Sequence, residues 1–304
     1  MALLEVEHLR IEFPTRRGTL VAVDDISFAI EEGEVLGVVG ESGAGKSLTG
    51  SAIIGLLEPP GRIAGGIIRL NGRRIDNLSY GELRRIRGRE IGAIFQDPLT
   101  SLNPLYTVGR QLVETIRTHT DLSSTAARKR AVELLGEVGI PAPDRRVDGY
   151  PHEFSGGMRQ RVVIALALAG NPRLIVADEP TTALDVSIQA QIIALLKRLC
   201  REHGAAVMLI THDMGVIAET AERVAVMYAG RIAEIGPVRD VVGHPSHPYA
   251  AGLMGSIPVI GRRLERLMQI DGAMPRLTEI PTGCAFHPRC PRAIDRCRSD
   301  RPEL

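Results

Sequence analysis

Gly40-Glu41-Ser42-Gly43-Ala44-Gly45-Lys46-Ser47 fits the pattern G-x-x-x-x-G-K-[ST] at every fixed position. The apolar, β-branched run Val35–Val39 precedes it as a predicted buried strand, and Ser47–Leu57 follow as a predicted helix. In that setting glycines let backbone N–H groups close around phosphate oxygens, and the helix N-terminus adds the positive end of its dipole. Lys46 is expected to reach the β- and γ-phosphates as a point charge, and the Ser47 hydroxyl to bind Mg2+. Gly40, Ser42, Gly43 and Gly45 are the expected backbone cradle. A chance glycine-rich turn would not be expected to meet all the fixed positions between a strand and a helix.

Further along, Leu174-Ile175-Val176-Ala177-Asp178-Glu179 delivers two carboxylates at the end of an apolar strand. Ligands of open α/β sheets sit at that end. Asp178 is expected to hold Mg2+ through water, and Glu179 to polarise an attacking water as general base. Alone, such a run often just caps a turn; beside a phosphate loop the chemical reading wins. Val207–Ile210 and Val224–Tyr228 are further strand candidates, alternating with longer amphipathic segments, which predicts an α/β sheet. A polar, mostly helical stretch from about Pro98 to Gly170, with helices over Val108–Arg117 and Ser124–Val138, looks like an inserted helical subdomain. Tyr228-Ala229-Gly230-Arg231, continued by Ile232–Ile235, reads as a hairpin. After Gly236-Pro237, His-Pro pairs and Pro258, Pro275 and Pro281 mark a loop-rich tail. His244 and His247 both precede proline there, which favours a structural role over metal ligation.

Composition narrows the partners. The 304 residues carry 37 Lys+Arg against 36 Asp+Glu, so a net charge of +1 offers no field for nucleic acid or an anionic membrane. No apolar run approaches the roughly 18 residues that span a bilayer. The start shows neither a basic n-region nor a long h-region, so a soluble, cytoplasmic chain is expected. Trp is absent and aromatics are 3%, so the core must be built from Leu, Ile, Val and Ala. Lysine occurs only at Lys46, Lys129 and Lys197, and Lys46 sits where a compact ammonium is needed inside a backbone cradle. Cys200 stands alone, whereas Cys284, Cys290 and Cys297 crowd the end of the sequence. A cytosolic chain rarely holds disulfides, so that cluster reads as metal-binding or incidental.

Phe154-Ser155-Gly156-Gly157-Met158-Arg159-Gln160-Arg161 resembles the signature motif of ATP-binding cassette (ABC) proteins, with Met158 where Gln is usual. A Ser followed by two Gly opens a helix, leaving N–H donors and a hydroxyl for a γ-phosphate. Phe95-Gln96-Asp97-Pro98 resembles the Q-loop, Ala183-Leu184-Asp185 the D-loop and Thr211-His212-Asp213 the H-loop, in cassette order. The resemblance implies an α/β fold: a P-loop NTPase (RecA-like) core with the helical subdomain, an N-terminal antiparallel β region and a C-terminal extension. It divides the chain into a nucleotide-binding domain over 1–235 and an extension over 236–304. It implies ATP hydrolysis with Mg2+ at a site shared by two head-to-tail cassettes, Lys46 of one facing Ser155, Gly156 and Gly157 of the other. Gln96 would contact Mg2+, Asp185 would line the shared site, and His212 would contact the γ-phosphate and the attacking water. The adenine would stack on an aromatic ring upstream of the loop. Phe13 is nearest, Arg16 or Arg17 could stack instead, and Phe13 could equally continue the Leu9/Ile11 face of a strand.

Gln96–Pro104, Tyr150–Gly157, His247-Pro248-Tyr249-Ala250 and Pro281–Pro291 resemble the ATPases of oligopeptide, dipeptide and nickel importers over essentially the whole chain. That resemblance implies a peripheral subunit on the cytoplasmic face of the cell membrane, powering uptake of di- or oligopeptides. Its implied partners are a second, different ATPase chain, two integral-membrane permeases and an extracytoplasmic substrate-binding protein; no nucleic acid is implied. A permease helix is expected in the groove around Gln96–Tyr106. Transport of nickel or another small solute is the alternative within the family, and a non-transport ATPase acting on nucleic acid the alternative outside it. In part of this family a motif like Cys284-x5-Cys290-x6-Cys297 binds a [4Fe–4S] cluster, normally with four thiolates. Three cysteines leave a cluster and no metal as open readings, and Zn2+ is disfavoured because C-x2–4-C pairs are missing.

Overall fold

The computed structural model describes residues 2–182, 184–256 and 269–304. In chain order the elements begin β1 (Leu4–Thr15), β2 (Gly18–Ile30), β3 (Val35–Val39), α1 (Lys46–Ile53), β4 (Arg62–Leu70) and β5 (Arg73–Arg74). They continue with α2 (Tyr80–Ile86), β6 (Ile91–Ile94), α3 (Pro98–Ser101), α4 (Val108–His119), α5 (Ser124–Glu137), α6 (Pro143–Arg146) and α7 (Gly156–Leu168). Then come β7 (Leu174–Asp178), α8 (Val186–His203), β8 (Ala206–Ile210), α9 (Met214–Thr220), β9 (Arg223–Tyr228) and β10 (Arg231–Pro237). The tail holds α10 (Val238–Gly243), α11 (Pro248–Gly255) and α12 (Arg296–Ser299).

The four predicted buried strands are strands. Every residue of β3 and β8 is buried, as the continuous apolar runs required. Helix α1 stops short of the expected Leu57. Gly55 takes φ 66, its N–H donates to Ala52 O, and Leu56 N–H donates to Ser51 O. Those paired bonds close a Schellman motif, which satisfies the last carbonyls and reverses the chain. The tail departs from the loop-rich expectation at its start. His247 Nδ1 accepts the Tyr249 N–H and Pro248 fills the first helical position, so α11 forms where proline alone suggested a loop.

The described residues fall into two compact units, each assembled from separate stretches. One contains residues 30–35 and 77–209. Its strands lie in the order β8-β7-β6, with β6 parallel to β7 in the register Ile91↔Leu174 to Ile94↔Ala177. Leu112 and Ile116 of α4, Leu134 and Leu135 of α5, and Ile164 of α7 are fully buried, so the stretch expected to be helical has its own apolar centre. The other unit contains residues 4–29, 36–76 and 210–304. Here β1 pairs antiparallel with β4 in the sheet β2-β1-β4-β5, broken by a bulge at His8, whose φ is 50. Strand β3 runs parallel to β9, which pairs antiparallel with β10. The phosphate loop and the tail belong to this same unit.

Candidate active site

The loop between β3 and α1 is held from both sides. Gly40 has φ 148, and a Cβ there would meet Met227 O of β9 at 2.2 Å, so only glycine fits. Gly230 N–H donates to Ala44 O, and Thr49 Oγ1 to Gly45 O, tying the loop to the hairpin and to α1. Lys46 is buried, and its ammonium donates to Gly40 O at 2.8 Å and Glu41 O at 3.0 Å. Ser42, Gly43 and Ser47 are exposed on the open side. The result is a ring of backbone around one cation, at a helix N-terminus, open to an anion.

Glu41 is the most heavily anchored residue of the loop. Its N–H donates to the Tyr249 hydroxyl at 2.9 Å, and its carboxylate takes Arg289 Nη1 at 2.9 and 3.1 Å. Burial alone would lower the Arg289 pKa, but the hydrogen bonds it donates to Tyr228 and Glu41 raise it above its usual value. Burial likewise pushes the Tyr249 phenol upward, so it stays protonated. Nothing in the local sequence announced these partners, which lie 208 and 248 positions away.

The carboxylates sit at the end of β7. Asp178 and Glu179 are half-buried, and Glu179 has φ 47, a left-handed conformation that costs a non-glycine residue of order 1–3 kcal/mol. Its Oε2 accepts from Gln96 Nε2 at 3.1 Å and from Thr182 Oγ1 at 2.9 Å. Two of the expected catalytic residues, Gln96 and Glu179, are therefore in direct contact. Thr182 escaped the sequence reading, although it follows the Asp-Glu pair closely.

Ser155 caps α7, its Oγ accepting from Met158 N–H at 3.4 Å, and it is exposed with Gly156. Gly157 lies so close to Ile188 of α8 that a Cβ would approach it to 2.9 Å, and Gly156 faces Leu184. The signature turn thus lies beside the expected D-loop. Asp185 is exposed and precedes α8, while Ala183 lies outside the described residues. His212 is exposed between β8 and α9, in a turn fixed by Asp213, which caps α9 and donates its N–H to Thr211 Oγ1. Phe13 lies on β1, half-buried, with its ring edge where a Cβ on Gly61 would stand; Arg16 and Arg17 are exposed at the neighbouring turn.

Cys284, Cys290 and Cys297 line one cleft of about 640 Å3 with His247. Burial raises the Cys284 thiol above its ordinary value. Among the described residues no group of three or more His, Cys, Asp or Glu is placed to hold a metal ion, and the cleft offers three of the four thiolates that a [4Fe–4S] cluster normally takes. Cys200 is buried in α8 with its pKa pushed up to about 12 by burial alone, an inert thiol. His247 serves as a helix cap, the structural role expected of it.

Comparison with known proteins matches residues 23–182 to the family described as ABC transporter, and residues 233–297 to the oligopeptide/dipeptide transporter C-terminal region. The chain is 47% identical over 304 residues to the dipeptide transport ATP-binding protein DppD of Escherichia coli K12, covering 100% of this chain and 93% of that one. It is 50% identical over 301 residues to the oligopeptide transport ATP-binding protein OppD of the same organism, covering 99% and 89%. Among solved structures it is similar to the ATP-binding cassette MJ0796, described as a dimeric post-hydrolysis state bound to ADP and Pi. That likeness has a TM-score of 0.69 and 31% identity, covering 78% of this chain and 99% of that one. Among the described residues no helix is long and apolar enough to cross a membrane.

Proposed function

The chain belongs to the ABC transporter family, and from that premise we infer that it is the ATP-hydrolysing subunit of an importer of di- and oligopeptides. The observation that carries the peptide reading is the oligopeptide/dipeptide C-terminal region over 233–297, within a likeness to peptide-transport ATPases that spans the whole chain. The family supplies membrane permeases and a second ATPase subunit as partners. We assign that second subunit to a different chain, peptide delivery to an extracytoplasmic binding protein, and the chain itself to the cytoplasmic face of the membrane.

The residues support a division of labour. The backbone of 40–47 takes the β- and γ-phosphates, and Lys46, now resting on two loop carbonyls, turns its ammonium to their oxygens. By the likeness to transport ATPases, Ser47, Gln96 and Asp178 are each assigned to Mg2+, and each carries a hard oxygen donor of the kind that suits it. Bound there, Mg2+ would neutralise charge on the phosphates. Glu179 takes the proton of the attacking water, with Gln96 and Thr182 fixing the oxygen that does not. By the same likeness His212 is assigned to the γ-phosphate and the attacking water, and Asp185 to the shared site. The open N–H groups behind Ser155, Gly156 and Gly157 face the γ-phosphate held by the partner cassette. Phe13 is assigned to the adenine. A [4Fe–4S] cube takes four thiolates, and no step is assigned to one here.

Co-expression with its permeases tests the reading. The expected result is a membrane complex that hydrolyses Mg-ATP and takes up labelled di- or oligopeptides. Uptake of nickel without peptide would overturn the substrate class. Salt-dependent DNA binding with no permease recovered would overturn transport itself.

A further inference from the structure

We propose that Arg289 and Tyr249, contributed by the C-terminal tail, are positioning residues for ATP: they hold Glu41 so that the phosphate loop keeps its binding shape. The inference rests on the loop being the ATP phosphate site.

Glu41 is the hinge of the geometry, because its three polar groups face three different partners. Its carbonyl receives Lys46 Nζ, its N–H is held by Tyr249, and its carboxylate is held by Arg289. The loop residue that helps to fix the phosphate-binding lysine is therefore itself fixed by the tail. Arg289 is well placed for this. Its side chain is only 8% exposed, and Nε donates to Asp271 O at 2.9 Å, so the guanidinium cannot swing away. Tyr228, Tyr249 and Phe286 form an aromatic cluster beneath it, with ring centroids 4.6 to 5.4 Å apart. Met274, in the stretch that accepts from Arg289, brings its methyl within 3.3 Å of where a Cβ on Gly43 would stand. The tail thus lines the outer side of the loop at two points.

A pre-shaped loop binds an anion without first losing conformational freedom, whereas a loosened one must be ordered by the ligand. The tail therefore acts on ATP affinity, and the chemical step at Glu179 is left alone. Removing Arg289 also leaves a half-buried Glu41 carboxylate unpaired beside a site meant for phosphates, which repels them.

The test is steady-state ATPase kinetics of the full chain assembled with its permeases, with nucleotide titration of the full chain as second readout. Arg289→Ala is expected to raise KM for ATP about tenfold with kcat within about twofold, equivalent to one decade of affinity. Glu41→Gln, which loses the ion pair without leaving a bare carboxylate, should show a smaller defect of the same kind. The double variant should be no worse than either single, because both remove one interaction. Arg289→Lys should recover part of the affinity. Tyr249→Phe, which keeps the ring and loses the hydroxyl, is expected to raise KM about threefold, and serves if Arg289→Ala does not fold. Wild-type KM in Arg289→Ala or in Tyr249→Phe, or additive losses in the double variant, overturns the proposal. If the wild-type chain itself fails to bind Mg-ATP, the reading of the loop falls instead.

Discussion

Glu179 carries the chemistry and a strained backbone together. Replacing it by glutamine keeps the shape and both hydrogen-bond partners within reach but removes the proton acceptor. Glu179→Gln is expected to bind Mg-ATP normally and to hydrolyse it about 10²-fold more slowly or worse, read as phosphate release against nucleotide titration. Near-normal turnover would reassign the base. Gly40 gives the opposite kind of test, since its substitution is geometric. In Gly40→Ala the new methyl would lie 2.2 Å from Met227 O, at a φ of 148 that alanine rarely adopts. The loop must move, and a loss of about 2 kcal/mol or more in stability is expected in chemical denaturation, together with ATP binding.

At the level of elements, the apolar runs were legible because a strand buried on both faces has little choice of residue. β3, β7, β8 and β9 needed no tertiary information. The end of α1 was less legible, since a glycine within an apolar stretch can sit in a helix or terminate it. Here the glycine terminates it, in the Schellman turn at Gly55. α11 was hidden for a similar reason, as proline reads both as a breaker and as a first helical residue. Helix α7 offers the test at this scale. Its cap Ser155 has a structural role through Met158 and a proposed role at the γ-phosphate. Ser155→Ala is expected to cost about 0.5–2 kcal/mol of stability, and Ser155→Gly only a few tenths. Both should depress ATP turnover to a similar extent, because both lose the hydroxyl. If turnover tracks stability across the pair, the serine is a cap alone.

Across the whole molecule, titration is written into two half-buried imidazoles. Burial lowers the pKa of His119, helped by the charge of Arg89, and lowers that of His247 against the pull of Glu234. Their folded pKa values lie below the ordinary 6.5, so the unfolded chain binds more protons as pH falls below that value. Their contribution to stability is complete above about pH 6.5 and is lost as pH drops toward the folded values. Melting temperature should therefore fall between pH 7.5 and 5.5, and His119→Gln should flatten the slope. An unchanged slope in that variant would assign the acid sensitivity elsewhere. The chemistry of the site was legible in short motifs because phosphate and magnesium dictate residue types locally. The bracing of that site was not, because Arg289 and Tyr249 meet Glu41 only after the chain has folded back over more than 200 positions.

That long return bears on how such cassettes can be recombined. A chimera joining this core to a foreign C-terminal region at Gly236 would inherit an acidic side chain at position 41 with no guarantee of a guanidinium to meet it. The graft that preserves nucleotide affinity is the one that carries residue 41 and the donor's counterpart of Arg289 as a single transplant unit, although nearly the whole chain separates them.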